Sequence, residues 1–465
     1  MRRKVYDQLK KWKEEQNGES AVLINGARRV GKSYIVKEFA QEEYKSYILL
    51  DFNKIGKNIK SLFETYLDDL DTFFMYLSSF TNTPLYPRES VIIFDEVQLY
   101  PRARTAIKYL VEDGRYDYIE TGSLVSIKKN VEDIMIPSEE EEILMYPMDF
   151  EEFLWALNNE TLMPLIRMNF QKKHEMGQMM HRMAMDYFRQ YLIVGGMPQA
   201  VAKFVETRDF NKVDRVKRQI LTLYRNDIQK YASTYVFKVT QIFDTIPSQL
   251  QKHEKKFMLK ALTEGARMRD YETAFFWLAD AMIVNMAYNT TEPSIGLGMN
   301  TDDTTLKCYM ADTGLLISHA FNENTIVSEN LYNKLLVDKL EFNGGMIVEN
   351  IVAQMLRSAG HKLYFFSKYS KDDAKERMEL DFLIAKDTIT SKHNISPIEV
   401  KSTNRYTLTS LKKCIAKYDS YLATPYVLHT ADLKVEEGIT YLPLYMTGLL
   451  SVVLVEWKRG CVINL

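Results

Sequence analysis

The residues with the clearest chemical potential form a glycine-rich run between an apolar stretch, residues 21–24, and a helix-like stretch, residues 34–39. The run reads Gly26-Ala27-Arg28-Arg29-Val30-Gly31-Lys32-Ser33. Glycines let a backbone wrap closely around phosphate groups, and the N–H groups that open the following helix point at negative charge. The run therefore predicts a P-loop that binds ATP through these eight residues.

Two residues of the loop carry the expected nucleotide chemistry. Lys32 would reach the β- and γ-phosphates of ATP, and the Ser33 hydroxyl would hold Mg²⁺. The alternative interpretation is a glycine-rich turn before a helix, with no ligand.

A second element required for phosphoryl transfer follows an apolar run at residues 91–94, which ends in Asp95 and Glu96. A continuous apolar run is typical of a strand buried on both faces, and ligands of open α/β sheets bind at the carboxyl ends of strands. Asp95 would hold Mg²⁺ through water, and Glu96 would orient and deprotonate the attacking water. A strand that merely ends at solvent is the alternative.

Two further short apolar segments, residues 47–51 and 118–123, are separated by helix-length segments. This order predicts βαβ units and a parallel sheet, and hence an α/β fold. Thr121 or Ser123, at the tip of its strand, could sense the γ-phosphate through a hydroxyl hydrogen bond. A simple exit from strand to loop is the alternative.

The last third of the chain contains a second group of candidate site residues. Glu399 and Lys401 are two residues apart on a predicted strand and so share a face, and Asp381 on a neighbouring predicted strand could meet them. Glu349, on an amphipathic helix, could add a third carboxylate. These groups predict a nuclease-like site for one or two further Mg²⁺ or Mn²⁺ ions. Glu-x-Lys also occurs at Glu43 by chance spacing, so a salt-bridged strand pair is the alternative.

Composition limits the class of protein. The 465 residues are 46% hydrophobic and 26% charged, which is ordinary for a soluble chain of several domains. A net charge of -2 gives no bulk attraction to nucleic acid, so any DNA surface must be local. Three distant cysteines predict neither a disulfide framework nor a zinc site. We expect a cytoplasmic protein without a signal peptide or membrane-spanning segment.

The middle of the chain has helical spacing. An acidic turn is predicted at residues 138–142, and Asp149 then reads as the N-cap of a helix that opens a Met-rich helical region. Helices are predicted at residues 257–262 and 271–283, followed by a hairpin, as in a winged helix. Four basic residues in this unit could contact DNA or form a solvated face of a packing domain: Lys255, Lys256, Arg267 and Arg269.

These motifs together resemble prokaryotic AAA-type ATPases that end in a domain of unknown function with a restriction-endonuclease-like fold. Besides the P-loop and Asp95-Glu96, the resemblance rests on motifs spread nearly end to end: Thr121-Gly122-Ser123, Pro147-Met148-Asp149-Phe150-Glu151-Glu152-Phe153, Gly195-Gly196-Met197-Pro198, Arg225-Asn226-Asp227-Ile228, Lys307-Cys308-Tyr309-Met310-Ala311-Asp312-Thr313-Gly314-Leu315-Leu316, Glu349-Asn350, Glu379-Leu380-Asp381-Phe382 and Ile398-Glu399-Val400-Lys401. A Gly-Arg pair common in such proteins is replaced here by the acidic stretch at residues 136–143, so no arginine role carries over to that loop.

The resemblance implies four units. They are an AAA-like P-loop ATPase core (1–150), a helical lid (151–235), a winged-helix-like domain (236–318) and a restriction-endonuclease-like C-terminal domain (319–465). The nuclease acids and lysine of such domains map onto Asp381, Glu399 and Lys401.

Two classes of function remain open. The first is an ATP-driven enzyme that processes DNA, and the second is a nucleotide-dependent regulatory switch whose nuclease-like fold only binds. A small-molecule kinase is a more distant third. ATP and ADP are the expected small partners, DNA is the expected partner in the first class, and an oligomer is compatible with both.

Overall fold

Five parallel strands form the sheet of the N-terminal unit. A computed structural model describes the chain except for residues 123–138, 253–254, 295, 322–343, 370–375, 387–392, 404 and 452–465. The strands run in the order β2-β3-β4-β1-β5. Their bounds are β1 (Ala21–Gly26), β2 (Ser46–Asp51), β3 (Ser90–Asp95), β4 (Asp117–Gly122) and β5 (Glu140–Met145). The predicted parallel α/β sheet is confirmed for its first four strands.

Helices cover both faces of this sheet. They are α1 (Lys4–Gln16), α2 (Lys32–Glu43), α3 (Lys57–Thr65), α4 (Leu70–Thr81) and α5 (Pro101–Asp113). Alternate residues of β3 enter different cores, because Ile92 and Phe94 pack on one face while Val91 and Ile93 pack on the other. Burial on both faces explains why β3 is apolar throughout.

The predicted acidic turn at residues 138–142 is wrong in its main part, because Glu140 begins strand β5. This strand pairs in parallel with β1, with Gly26 opposite Met145. Partners from elsewhere in the fold make the acidic sequence compatible with a strand. Arg104 of α5 contacts Glu140 at 2.8 Å, and the side-chain amide of Asn25 donates to Glu142 at 2.7 Å.

Helices follow from residue 150 onward, as predicted. Asp149 caps the first of them with a capping box, in which Glu152 donates its backbone N–H to the Asp149 carboxylate and accepts from the Asp149 N–H. The helices are α6 (Phe150–Ala156), α7 (Leu162–Lys172), α8 (Gln178–Val194), α9 (Pro198–Thr207), α10 (Phe210–Tyr231), α11 (Val236–Leu250), α12 (Met268–Asp280) and α13 (Thr313–Ala320).

The predicted helix at residues 257–262 is a short 3₁₀ turn, Leu259–Ala261. The backbone groups just before this turn are hydrogen-bonded to other parts of the fold. Phe257 donates its N–H to the carbonyl of Leu306 at 2.8 Å, and the side chain of Gln249 bonds both backbone groups of Met258. The Met258 carbonyl also accepts from the Ala261 N–H at 3.0 Å, which closes the 3₁₀ turn.

A mixed sheet of eight strands occupies the rest of the chain, in the order β12-β13-β11-β10-β9-β8-β6-β7. Its strands are β6 (Val284–Thr290), β7 (Thr301–Met310), β8 (Leu363–Lys368), β9 (Met378–Ala385), β10 (Ile395–Val400), β11 (Tyr426–His429), β12 (Lys434–Glu436) and β13 (Ile439–Pro443). Helices α14 (Gly344–Ser358) and α15 (Thr409–Tyr418) belong to this part of the chain.

The hairpin β6–β7 lies within this sheet, although the sequence assigns it to the unit before residue 319. Strand β6 pairs in parallel with β8, with Ala287 opposite Leu363. One apolar core extends from Met148 to Leu450 and joins the helices to the sheet. The predicted boundary at residues 318/319 therefore does not coincide with a break in the sheet. In the described ranges, no helix is long and apolar enough to cross a membrane.

Asp312 ties the helical region to this core, and its loss should destabilise the fold. Its buried carboxylate accepts hydrogen bonds from the N–H groups of Gly196 and Leu315. Gly195, with φ +81°, lies so close that a Cβ there would be 2.3 Å from the Asp312 carboxylate. We expect Asp312→Ala to lower the free energy of unfolding by about 2–3 kcal/mol, because it leaves buried donors unpaired.

Urea denaturation would measure this loss. The exposed Asp303→Ala is the matched control and should change the free energy of unfolding by less than about 0.5 kcal/mol. Equal midpoints for the two variants would show that Asp312 has no such role.

Candidate functional site

The P-loop follows the carboxyl end of β1, as predicted. A Cβ at Gly26 would lie 2.4 Å from the carbonyl oxygen of Met145, so only glycine fits beside β5. Gly31 has φ +105°, a backbone conformation that glycine adopts without strain. Ala27 and Val30 are buried beneath the loop, whereas Arg28 and Arg29 are exposed.

Lys32 is folded back onto its own loop. Its ammonium group donates to the carbonyls of Gly26 at 2.8 Å and Ala27 at 3.1 Å, and the residue is 7% exposed. Burial lowers the pKa of Lys32 to about 8, although the nearby carboxylates of Glu96 and Asp95 oppose this effect. A buried cation whose hydrogen bonds, among the described residues, go to two neutral carbonyls is well suited to an anionic partner.

A cluster of oxygen atoms lies across from the loop. The Ser33 hydroxyl donates to the Asp95 carboxylate at 2.7 Å, and the Thr121 hydroxyl donates to the same Asp95 oxygen. Strand β4 lies between β1 and β3, so Thr121 is placed between the P-loop and Asp95. Hydroxyl and carboxylate oxygens are the ligands that Mg²⁺ prefers. Ser33 and Asp95 therefore fit the predicted Mg²⁺ role.

Glu96 occupies a strained position directly after β3. Its φ of +56° is rare for a residue with a side chain. Its N–H donates to the Thr121 hydroxyl at 3.2 Å, and its carboxylate accepts a hydrogen bond from the amide of Gln98 at 2.5 Å. Thr121 thus contacts both acids. Ser123, the other predicted sensor, lies outside the described residues.

The helical region touches the P-loop through α10. The Arg28 guanidinium forms an ion pair with Asp227, and the Tyr224 hydroxyl donates to the Arg28 carbonyl at 3.3 Å. Burial raises the pKa of Asp227 above its ordinary value despite the opposing effect of Arg28. Sequence reasoning gave Asp227 no role, because 199 residues separate the pair and nothing local indicates the contact.

A second candidate site is a pocket of about 310 Å³ between the hairpin and the C-terminal strands. The structure brings together all four residues predicted there. Glu349 comes from α14, Asp381 from β9, and Glu399 and Lys401 from the end of β10. Three further charged residues line the pocket that the sequence analysis did not assign to it: Lys255, Lys307 and Glu379.

Glu349 is the most enclosed acid of the pocket, at 2% exposure. Lys307 lies 3.1 Å from its Oε1, Lys255 pairs with Oε2, and the Tyr309 hydroxyl donates to Oε1. Burial alone would raise the pKa of Glu349, but Lys307 and Lys255 outweigh it and lower the pKa to about 2. Glu349 is therefore ionised at neutral pH.

The other two predicted acids behave differently. Asp381 accepts a hydrogen bond from the Val400 N–H at 2.8 Å, and Lys401 contacts Glu399 at 2.6 Å. Burial, followed by the charge of Asp381, raises the pKa of Glu399 to about 8. The second oxygen of Glu399, Oε2, is buried with no hydrogen-bond partner among the described residues.

The carboxylates of the pocket are not arranged as a metal site. Within the described ranges, no group of three or more histidine, cysteine or acidic residues could hold a metal ion. Lysine ammonium groups lie among the carboxylates instead. Lys255, one of the basic residues predicted as possible DNA contacts, forms an ion pair with Glu349.

Likenesses to solved structures are distant. The Walker-type ATPase PABY2304 of Pyrococcus abyssi is 15% identical with a TM-score of 0.41, covering 68% of this chain and 95% of that chain. A Drosophila ORC bound to DNA is 11% identical with a TM-score of 0.29, covering 68% and 94%. The Aeropyrum pernix ORC1 protein in complex with DNA is 10% identical with a TM-score of 0.27, covering 70% and 93%. These values are too low to indicate an activity.

Family comparisons divide the chain into three matched segments. Residues 18–154 match the AAA domain, residues 185–325 match a domain of unknown function (DUF8612), and residues 344–446 match a second domain of unknown function (DUF4143). No curated protein matches the chain significantly. The chain thus carries an AAA-type P-loop ATPase domain at its N-terminal end, followed by two domains of unknown function.

Proposed function

We propose that the protein is a Mg²⁺-dependent ATPase in which ATP controls the contact between the P-loop and helix α10. The proposal rests on one observation. The ammonium group of Lys32 lies across from the oxygen atoms of Ser33, Asp95 and Thr121 at one edge of the sheet. Cation, hydroxyl and carboxylate are the groups that phosphoryl transfer requires.

Each residue has a distinct role in this proposal. Lys32 exchanges its two carbonyl partners for the β- and γ-phosphates, while Ser33 and Asp95 provide oxygens toward Mg²⁺. Thr121 holds the Asp95 carboxylate and the Glu96 backbone in place. Glu96, oriented by Gln98, acts as the base that takes a proton from the attacking water.

The Arg28–Asp227 pair supplies a link to the helical region. A γ-phosphate at the P-loop would compete with Asp227 for the Arg28 guanidinium and would repel the Asp227 carboxylate. ADP lacks that group, so the two nucleotides make different contacts near α10. A ligand shifts a conformational equilibrium only through such a difference.

For the C-terminal pocket, DNA is the partner that we propose, in a site that binds without cutting. Lys401 and the hydroxyl residues Thr407, Thr409 and Ser410 line the pocket and suit phosphate groups. Lys255 and Lys307 beside Glu349 favour the binding role, since the predicted second Mg²⁺ or Mn²⁺ would have to share the pocket with them.

The ATPase proposal predicts distinct effects for two substitutions. Lys32→Ala should abolish ATP binding, because it removes the cation for the β- and γ-phosphates. Glu96→Gln should retain binding and lower the turnover rate about 10²–10⁴-fold, because it removes the base. Nucleotide binding and phosphate release would be measured, with the exposed Lys37→Ala on α2 as control. Undiminished turnover in Glu96→Gln would refute the role of Glu96.

The switch proposal predicts that small-angle scattering differs between ADP and a non-hydrolysable ATP analogue. Asp227→Asn should shift the ADP profile toward the ATP profile, because it weakens the hold on Arg28. Asp244→Asn is the control. Asp244 of α11 pairs with Arg225 of α10 at 3.0 Å, so this variant also removes a charge that is paired with an arginine of α10. Identical profiles with both nucleotides in the parent protein would rule the switch out.

The binding role predicts that DNA survives incubation with the protein, ATP and either Mg²⁺ or Mn²⁺. Single-stranded, duplex and nicked DNA would be followed by gel electrophoresis and by binding titration. Retention of DNA that weakens in Lys401→Ala is the expected result. Cleavage that disappears in Glu399→Gln would instead establish the DNA-processing class.

A further inference from the structure

Lys307 has an unusual environment for a lysine on a strand. It lies on β7 between apolar neighbours, its side chain is 1% exposed, and its ammonium group lies 5.0 Å from the centre of the Phe365 ring. Its Nζ faces three carboxylates, at 3.1 Å from Glu349, 3.6 Å from Glu379 and 3.9 Å from Asp381. One ammonium group therefore lies within 4 Å of three carboxylates, which come from α14 and β9.

Without this lysine, the pocket would hold four acids against two ammonium groups. The lining carries the carboxylates of Glu349, Glu379, Asp381 and Glu399 and the ammonium groups of Lys255, Lys307 and Lys401. Lys401 is engaged with Glu399 at 2.6 Å, and Lys255 pairs with the far oxygen of Glu349. Among the described residues, Lys307 is the cation that faces Asp381 and Glu379 within 4 Å. Buried carboxylates without a cation are strongly unfavourable.

A divalent ion cannot simply join this arrangement. Mg²⁺ requires oxygen ligands at about 2.0–2.1 Å, Mn²⁺ takes the same kind of ligand, and an ammonium group between the same carboxylates would repel either ion. Burial of Lys307 means that its side chain cannot withdraw to solvent without repacking of the core. The resemblance to nucleases implies a metal here, but the residues present do not fit one.

We propose that the ammonium group of Lys307 is the built-in cation of the C-terminal pocket, held among Glu349, Glu379 and Asp381 where a divalent metal would otherwise bind. The β6–β7 hairpin thereby completes a site whose acids belong to helix α14 and strand β9. Removal of Lys307 should expose a latent divalent-metal site.

The ionisation of the groups agrees with this assignment. Burial alone would lower the pKa of Lys307, but Glu349, Asp381 and Glu379 outweigh it and hold the pKa above its ordinary value. Lys307 and Glu349 are thus both charged at neutral pH.

Thermal melting of the full chain without nucleotide tests the assignment. Asp95→Asn is used as the parent, so that the carboxylate proposed to hold Mg²⁺ at the ATP site does not contribute to the response to metal. We expect millimolar Mg²⁺ or Mn²⁺ to leave the melting temperature of the parent unchanged. Adding Lys307→Met should lower the melting temperature without metal, and Mn²⁺ should then raise it by several degrees through binding to the folded state.

Lys217→Met is the matched control, because Lys217 is also a buried lysine, at 0% exposure, but it bonds the carbonyl of Ile193 in the helical region. It should lose stability and gain no response to metal. If Lys307→Met cannot be purified, the double variant Lys307→Met/Glu349→Gln removes one charge of each sign and keeps three acids. A weaker Mn²⁺ response is expected of it.

Two results would overturn the assignment. One is a rise in the melting temperature of the parent with Mg²⁺ or Mn²⁺, which would show a metal bound beside Lys307. The other is a metal response equal in Lys307→Met and Lys217→Met. Because no nucleotide is present, neither result depends on whether the protein hydrolyses ATP.

Discussion

Parallel alignment of β1, β3 and β4 is the constraint on which the ATP site depends. Parallel strands end at the same edge of a sheet, so the P-loop, Asp95 and Thr121 are neighbours although they lie far apart in sequence. The strand order then determines which of these residues are in contact. Because β4 separates β1 from β3, the Thr121 hydroxyl reaches Asp95 and the Glu96 backbone together.

The second constraint is the shared core of the helical region and the C-terminal sheet. Strand β6 pairs with β8, and the apolar residues of both regions form one cluster. Motion of α10 would therefore be transmitted through packed side chains rather than through a flexible linker, since close-packed interiors transmit strain. The same pairing brings β7 and its lysine to acids contributed by later strands.

Local signals in the sequence predicted what is local in the structure. The P-loop, the acidic end of β3, the Asp149 cap and the Glu399–Lys401 spacing at the end of β10 all depend on residues within a few positions of each other. The ion pairs of Asp227 with Arg28 and of Lys255 with Glu349 could not be predicted, because the partners are 199 and 94 residues apart. Strand β5 was mistaken for a turn for a related reason. Its acids are compatible with a strand because Arg104 and Asn25 reach Glu140 and Glu142 from other elements, while Glu141 is exposed.

The acidic composition of β5 has a further consequence for solubility. This strand forms one edge of the five-stranded sheet, and Glu141 and Glu142 are exposed there. The outer side of an edge strand offers backbone N–H and C=O groups that could pair with the edge of another molecule. Two like charges on each copy would oppose such pairing. The glutamates that obscured the strand in the sequence would thus help to keep the sheet from extending between molecules.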